Sequence, residues 1–156
     1  MLVGVISDTH GLLRPEAVTA LAGAEHILHA GDVGDPRILD ALREIAPVTA
    51  IRGNVDQWGE CAELPATDVV ELDGRLFYLV HSVTDLDINP VVAGVAAVVS
   101  GHSHKPSVEA RDGVLYLNPG SAGPRRFNLP VTIAFVTVGE AGVDARIVTL
   151  LPGTSN

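Results

Sequence analysis

Residues 2–10 read Leu2-Val3-Gly4-Val5-Ile6-Ser7-Asp8-Thr9-His10, an apolar run that stops abruptly in an acid and an imidazole. A short continuous apolar run suits a strand buried on both faces, as in parallel sheets covered by helices. Its polar end then falls at the strand's carboxyl end, where open α/β sheets gather their ligand sites. The pattern recurs four more times, with runs ending at Asp32, at Asn54, at His81, and at His102 with His104. Successive groups are separated by 24 residues from Asp8 to Asp32, then 22 to Asn54, 27 to His81 and 21 to His102. Each interval is close to one strand plus its connection. The spacing therefore predicts that Asp8, His10, Asp32, Asn54, His81, His102 and His104 share one sheet edge.

The stretches between these runs are consistent with βαβ units. Pro15 and Glu16 suit the first turn of a helix that Gly23 would end. His26 to Ala30 reads as a second strand, and Asp35-Pro36 as a cap opening a helix through Ile45, with Ile38, Leu39, Leu42 and Ile45 on one face. Val48 to Ile51 gives a third strand and Val95 to Val99 a later buried one. Val69–Leu72 and Leu76–Val80 flank Asp73-Gly74, a hairpin signal. From Ser107 onward the pattern is antiparallel: strands meet at Asp112-Gly113, and Thr132–Val138 faces Val143–Leu150 across Glu140-Ala141-Gly142. Helices are expected to cover a two-sheet core.

Composition bounds the function. The chain has 156 residues with 47% hydrophobic side chains, enough for one domain spanning 1–156 with a sizeable core. Ten basic against 19 acidic side chains give a formal charge of -9, which excludes an extended nucleic-acid grip through phosphate contacts. Aromatic residues are only 4%, so stacking platforms for bases are few. Cys61 is the sole cysteine, which rules out an intrachain disulfide and a cysteine-based zinc site. The apolar stretch Ile88–Ser100 is broken by Pro90 and Gly94 and is too short to span a bilayer, so no membrane association is expected. With no export signal read at the N-terminus, a cytoplasmic protein is expected. The aliphatic C-terminal strands leave a homo-oligomer open.

Taken singly, each motif has an ordinary explanation. Asp8 and Asp32 fit caps or Asx turns, and Gly53-Asn54 fits a tight turn. Taken together they hold four of the six histidines, two carboxylates and an amide, a donor set for Mn, Fe, Ni or Zn. Seven ligands exceed one structural site, and two metals sharing a carboxylate account for them. Two divalent cations on two carboxylates leave about +2, which attracts an anionic ester despite the acidic exterior.

In order, Asp8-Thr9-His10, Gly31-Asp32, Gly53-Asn54-Val55-Asp56, His81 and Gly101-His102-Ser103-His104 resemble the motif series of the calcineurin-like metallophosphoesterases. With the short chain and Asn118-Pro119-Gly120-Ser121, the resemblance is to the small bacterial and archaeal phosphodiesterase branch, which includes the scaffold subunit of eukaryotic retromer. It implies an α/β fold, a four-layer αββα sandwich of two mixed sheets flanked by helices. It also implies two divalent ions, manganese first and nickel, zinc or iron as options. Asp8, His10, Asp32 and His104 would hold one, and Asp32, Asn54, His81 and His102 the other, with Asp32 bridging. The implied reaction is in-line attack of a metal-bound hydroxide on a small phosphodiester or nucleotide-derived ester. The alternatives are a phosphomonoesterase on the same cluster and a noncatalytic interaction scaffold. Many larger relatives carry His where this chain has Val55, which cannot protonate a leaving group. Ser82-Val83 also departs from the Gly-His common after His81.

Other residues have weaker claims. His29 reads as a packed or ligand-supporting histidine and His26 as structural. Asp56 either orients a ligand or makes a turn, and Asn118 and Ser121, which alone read as a turn, lie in a Pro-Gly loop the resemblance places near the metals. Arg125 and Arg126 either bind a substrate phosphate or pair with surface acids, with pairing preferred. Trp58 and Cys61 fit rim or core, and Cys61 is given no redox role.

Overall fold

The structure is a computed structural model that describes residues 1–154. The first apolar run forms β1 (Leu2–Ile6), followed by α1 (Pro15–Leu21), β2 (His26–His29), α2 (Pro36–Arg43) and β3 (Val48–Ala50). β1 pairs parallel with β2, and β2 with β3. Pro opens both helices at a position where its missing N–H costs nothing. Asp35 caps α2 by accepting from the Arg37 N–H at 2.9 Å, an interaction worth about 1 kcal/mol. α2 ends two residues earlier than the sequence suggests, its last apolar residues finishing in a turn.

A hairpin of β4 (Thr67–Leu72) and β5 (Arg75–Val80) starts the second sheet. A single-turn α3 (Pro90–Ala93) leads into β6 (Val95–Val99), which lies parallel to β5. β7 (Ser107–Arg111) and β8 (Val114–Asn118) form the second Asp-Gly hairpin. The chain then returns to the first sheet as β9 (Val131–Gly139) and β10 (Gly142–Leu151). The strand orders are β10-β9-β1-β2-β3 and β4-β5-β6-β8-β7, two mixed five-stranded sheets.

Alternation along the strands divides the core. Val3, Val5, Leu28, Phe77, Leu79, Ala97, Val99 and Leu117 meet between the sheets. Ile6, Ile27, Ile133 and Phe135 point the other way, against Leu21 of α1 and Ile38, Leu39 and Leu42 of α2. Gly4 marks the closest approach of α1, since a Cβ there would overlap Leu21. The outer face of the second sheet carries Tyr78, Val80, Val95 and Val98, covered by Leu86 and Ile88. This fourth layer is thinner than the sandwich the sequence leads one to expect. Between His81 and Gly94 there is room only for a 3₁₀ turn and one turn of helix, held between Asn89 and a left-handed Gly94.

Two further expectations change. The ligand-bearing runs do not share one sheet edge: β1, β2 and β3 lie in the first sheet, β5 and β6 in the second. Their carboxyl ends meet at the same end of the sandwich. The region after Ser107 is not purely antiparallel, because β8 pairs parallel with β6 while β7 takes the edge. Burial explains the order. β7 is exposed along its whole length, whereas β8 brings Val114 and Leu117 into the core. The apolar residues of β10, including Val143, Ala145 and Ile147, pack into the chain's own core.

Candidate metal centre

Backbone bonding continues beyond the strands and fixes the loops. Asp8 N–H donates to the Gly31 carbonyl at 3.0 Å and His10 N–H to the Asp32 carbonyl at 2.9 Å. Gly101 N–H donates to the His81 carbonyl at 2.9 Å, crossing from β5 to β6. Asp8, His10, Asp32, His102 and His104 all adopt left-handed backbone, with φ between 47° and 72°. Such conformations are uncommon outside Gly, Asn and Asp, and they cluster where the surrounding structure enforces them.

Each carboxylate has one oxygen committed to protein and one turned inward. Asp8 Oδ2 accepts from Ser7 Oγ at 2.7 Å and from the His102 N–H at 3.1 Å. Its Oδ1 lies 3.4 Å from His104 Nε2, 3.7 Å from His10 Nε2 and 3.8 Å from His81 Nε2. Asp32 Oδ1 accepts from the Val55 N–H at 2.9 Å, while its Oδ2 lies 3.2 Å from His81 Nε2 and 3.5 Å from His10 Nε2. His81 Nδ1 donates to the Ala30 carbonyl at 2.7 Å, which leaves Nε2 as the lone-pair nitrogen.

Five of the seven sequence-predicted residues thus converge. Donor atoms of Asp8, His10 and His104 lie within 4.8 Å of one another, as do those of Asp8, Asp32 and His81. Asn54 and His102 stand at the exposed rim. Asn54 shares a shallow depression with Arg52, Gly53, His81 and Asp85, and the His102 ring meets the His81 ring edge-on with centroids 5.3 Å apart. Both inward carboxylate oxygens sit between imidazoles, and it is Asp8 that belongs to both groups.

The residues fit a cation. Asp8 Oδ1, His10 Nε2, His81 Nε2 and His104 Nδ1 are buried without a hydrogen-bond partner among the described residues, a costly arrangement unless something else satisfies them. Electrostatics agree. Burial opposes ionisation of Asp8, yet the neighbouring His10 and His104 imidazoles, the bond from Ser7 and the charge of His81 hold it well below the usual carboxylate range. Burial also opposes ionisation of Asp32, which His81 and the Val55 N–H lower. The nearby Asp8 carboxylate raises His10 despite desolvation, and His81 is raised by Asp32 and the Ala30 carbonyl although burial opposes it. A field that draws protons onto imidazoles draws divalent cations to the same donors.

A supporting layer that the sequence only partly announces holds this arrangement. Asp56 accepts from the N–H groups of Val33, Gly34 and Gly53 at 2.9–3.1 Å, joining two ligand loops. Asn118 Nδ2 donates to the Gly101 carbonyl at 3.0 Å and to Ser103 Oγ at 3.1 Å, bracing the last motif. His29 is fully buried. Since Thr9 Oγ1 donates to the Val33 carbonyl, it accepts from His29 Nε2 at 3.0 Å, and His29 Nδ1 accepts from the Gly31 N–H at 3.1 Å. His26 instead meets Thr49 Oγ1, Trp58 is exposed, and Cys61 lies in the core. Ser7 was not singled out by the sequence, although it stands where the first apolar run turns polar. Glycines give another signal: a Cβ on Gly31, Gly53 or Gly101 would collide with His81, Asp32 or Asp8 respectively.

Comparison with known proteins agrees with this architecture. Residues 1–141 match the model of the calcineurin-like phosphoesterase superfamily domain. A probable metallophosphoesterase of Methanothermobacter thermautotrophicus is 35% identical over 161 residues, covering 95% of this chain and 92% of that protein. An archaeal phosphodiesterase structure shares the fold with a TM-score of 0.76 and 24% identity, over 96% of this chain and 99% of the other. Vps29 of Entamoeba histolytica, complexed with zinc, has a TM-score of 0.70 and 22% identity, over 96% of this chain and 99% of the other. Fold and donor set together are those of a metal-dependent phosphoester hydrolase. The chain belongs to the calcineurin-like phosphoesterase superfamily. No helix among the described residues is long and apolar enough to cross a membrane.

Proposed function

We propose that this chain hydrolyses small phosphodiesters, including nucleotide-derived esters, at a dinuclear centre of divalent ions, with manganese as the working metal. The observation that carries the reading is the pair of donor groups overlapping at Asp8, each with buried ligand atoms that no group among the described residues satisfies. Asp8, His10 and His104 would hold one ion. Asp32 and His81 would hold the other with Asn54 and His102 from the rim, and Asp32 would reach both. Bound there, the ions supply Lewis acidity for a phosphoryl oxygen and lower the pKa of a water so that it can attack at neutral pH.

The chain's own residues do the rest. Ser7, the Val55 N–H and the Ala30 carbonyl fix which atom of Asp8, Asp32 and His81 faces the reaction, so little reorganisation is needed. Val55 meets Asp32 through its backbone and offers no proton to the departing alcohol. Rates should therefore depend steeply on leaving-group pKa. The test compares bis-p-nitrophenyl phosphate with p-nitrophenyl phosphate, using chelator-stripped protein reloaded with Mn, Ni or Zn. Metal-dependent preference for the diester supports the proposal. Preference for the monoester replaces it with a phosphomonoesterase, and tight metal binding without turnover of either ester points to a noncatalytic scaffold.

A further inference from the structure

Between β8 and β9 the chain crosses directly over the first ligand motif. Ser121 Oγ donates to the Asp8 carbonyl at 3.1 Å, and the Ala122 N–H to the Ser7 carbonyl at 3.1 Å. Gly123 lies so close to the carbonyls of Asp8 and Thr9 that no Cβ fits there. Arg14, just before α1, donates to the Gly123 carbonyl from Nε at 3.3 Å and Nη2 at 3.2 Å. The other half of the loop is tied from the far side. Arg125 Nη1 donates to the carbonyls of Leu129 at 2.9 Å and Pro152 at 2.8 Å, and the Thr154 N–H to the Asn128 carbonyl at 3.1 Å.

The two neighbouring arginines therefore differ. Arg125 is spent on backbone carbonyls, and neither arginine pairs with an acid among the described residues, contrary to the preferred sequence reading. Arg126 is exposed, has no ion-pair or hydrogen-bond partner among the described residues, and lies three residues beyond Gly123, the point where the loop packs on the carbonyls of Asp8 and Thr9. In a chain of formal charge -9, an unmatched guanidinium on the loop that crosses the first ligand motif stands out. Its planar fork suits the oxygens of a phosphoryl group. Phe127 follows with φ of 54° and 86% exposure, in a chain that has only three Phe, two Tyr and one Trp. A bulky residue in that conformation is strained, and such strain is common in ligand clamps.

From this arrangement we infer that Arg126 is a substrate-binding residue that grips the phosphoryl oxygens, while Phe127 beside it presents an aromatic face to the ester group. The inference deepens the phosphodiesterase reading and rests on it for the identity of the substrate. The loop's ties to Ser7, Asp8 and Arg14 set the distance between grip and metal ligands. The ties through Arg125 and Thr154 anchor the far side of the same loop.

The experiment uses the full chain, stripped and reloaded with Mn, as wild type, Arg126→Ala, Arg126→Lys and Phe127→Ala. Arg43→Ala serves as a control that removes the same charge from the exposed end of α2. Calorimetry with inorganic phosphate is read first. Arg126→Ala is expected to weaken phosphate binding about tenfold or more, Arg126→Lys less, and Arg43→Ala less than about twofold. Metal content should be unchanged in all of them. The KM for bis-p-nitrophenyl phosphate should rise in parallel for Arg126→Ala. Phe127→Ala should raise that KM about two- to fivefold while leaving phosphate binding intact. Phosphate affinity of Arg126→Ala within twofold of wild type overturns the inference, as does a wild type that binds no phosphate. The two readings fail separately. A wild type that binds phosphate through Arg126 and cleaves no ester removes the diesterase reading alone, whereas diester hydrolysis with unchanged KM in Arg126→Ala removes only the grip.

Discussion

Asp112 in the β7–β8 turn and His104 at the metal centre share a left-handed backbone, with φ of 52° and 63°. They reach it differently. Asp112, like Asp73 with φ of 50°, is followed by a left-handed glycine in a two-residue hairpin turn, where local sequence alone favours the geometry. At the centre, Asp8, His10, Asp32, His102 and His104 are held by bonds between loops distant in sequence, such as Asp8 to Gly31 and His102 to Asp8. The hairpins show that positive φ is inexpensive when the next residue is glycine and the strands close around it. The metal loops show what it takes to impose the same shape on histidine: a network of buried donors and acceptors from both sheets.

Substitutions should separate the two kinds of turn. The largest effect is expected from Asp32→Ala, which removes the oxygen between His10 and His81. Metal content by elemental analysis should drop and diester hydrolysis should fall below detection, and retained turnover in the stripped variant would refute the two-metal account. Gly53→Ala comes next. Gly53 lacks the left-handed backbone, so the change tests space alone, against Asp32 Oδ1 and the Asp32 N–H. We expect about 10- to 100-fold weaker metal binding and a melting temperature lower by about a few degrees, because the Asp32 backbone must shift as well as its carboxylate.

His29→Ala should act on stability. It leaves the Gly31 N–H without a partner and Thr9 Oγ1 without its donor, and opens a cavity, which should cost about 2–4 kcal/mol in urea denaturation at pH 7.5. Burial pushes His29 down from 6.5 to about 4, so the folded chain holds it neutral. A depressed histidine contributes fully above the unfolded value near 6.5, and the contribution is lost as pH falls toward 4, by up to about 3 kcal/mol. The gap between wild type and His29→Ala, both stripped of metal, should therefore narrow between pH 6.5 and 4. A gap that widens instead would mean that His29 is charged in the native state. Asp112→Asn should do least, below about 0.5 kcal/mol with activity intact, because Asn tolerates the same left-handed turn.

Much of this was legible in the sequence because it is local. Apolar runs gave β1, β2, β5 and β6, Asp-Gly gave two hairpins, and Pro15 and Asp35-Pro36 marked two helix starts. Strand-end spacing brought five donors to one end, yet could not say that two sheets share the task, since β4 and β5 start a new sheet only by failing to pair with β3. The place of β8 beside β6 was equally hidden, because it depends on which strand of a hairpin is the more apolar. Within the site, Asp8 and Asp32 were visible as residues. Which oxygen of each faces inward was not, because Ser7, the His102 N–H and the Val55 N–H decide it. Arg125 and Arg126 are adjacent and chemically identical in sequence, and only the position of Pro152 and Leu129 tells them apart.

Those carbonyls matter for a reason beyond distance. The far anchor of the loop carrying Arg126 lies in the stretch after β10, through Pro152 and Thr154. Ordering a long side chain and its loop carries a conformational entropy cost that must be met at some stage, either when the chain folds or each time a ligand arrives. On the Arg126 proposal it would be met at folding, with the stretch after β10 preparing a binding event at the end of the first strand. A chain cut after Leu151 would keep both sheets and all seven candidate ligands, and on the same proposal would meet that cost anew with every molecule it bound.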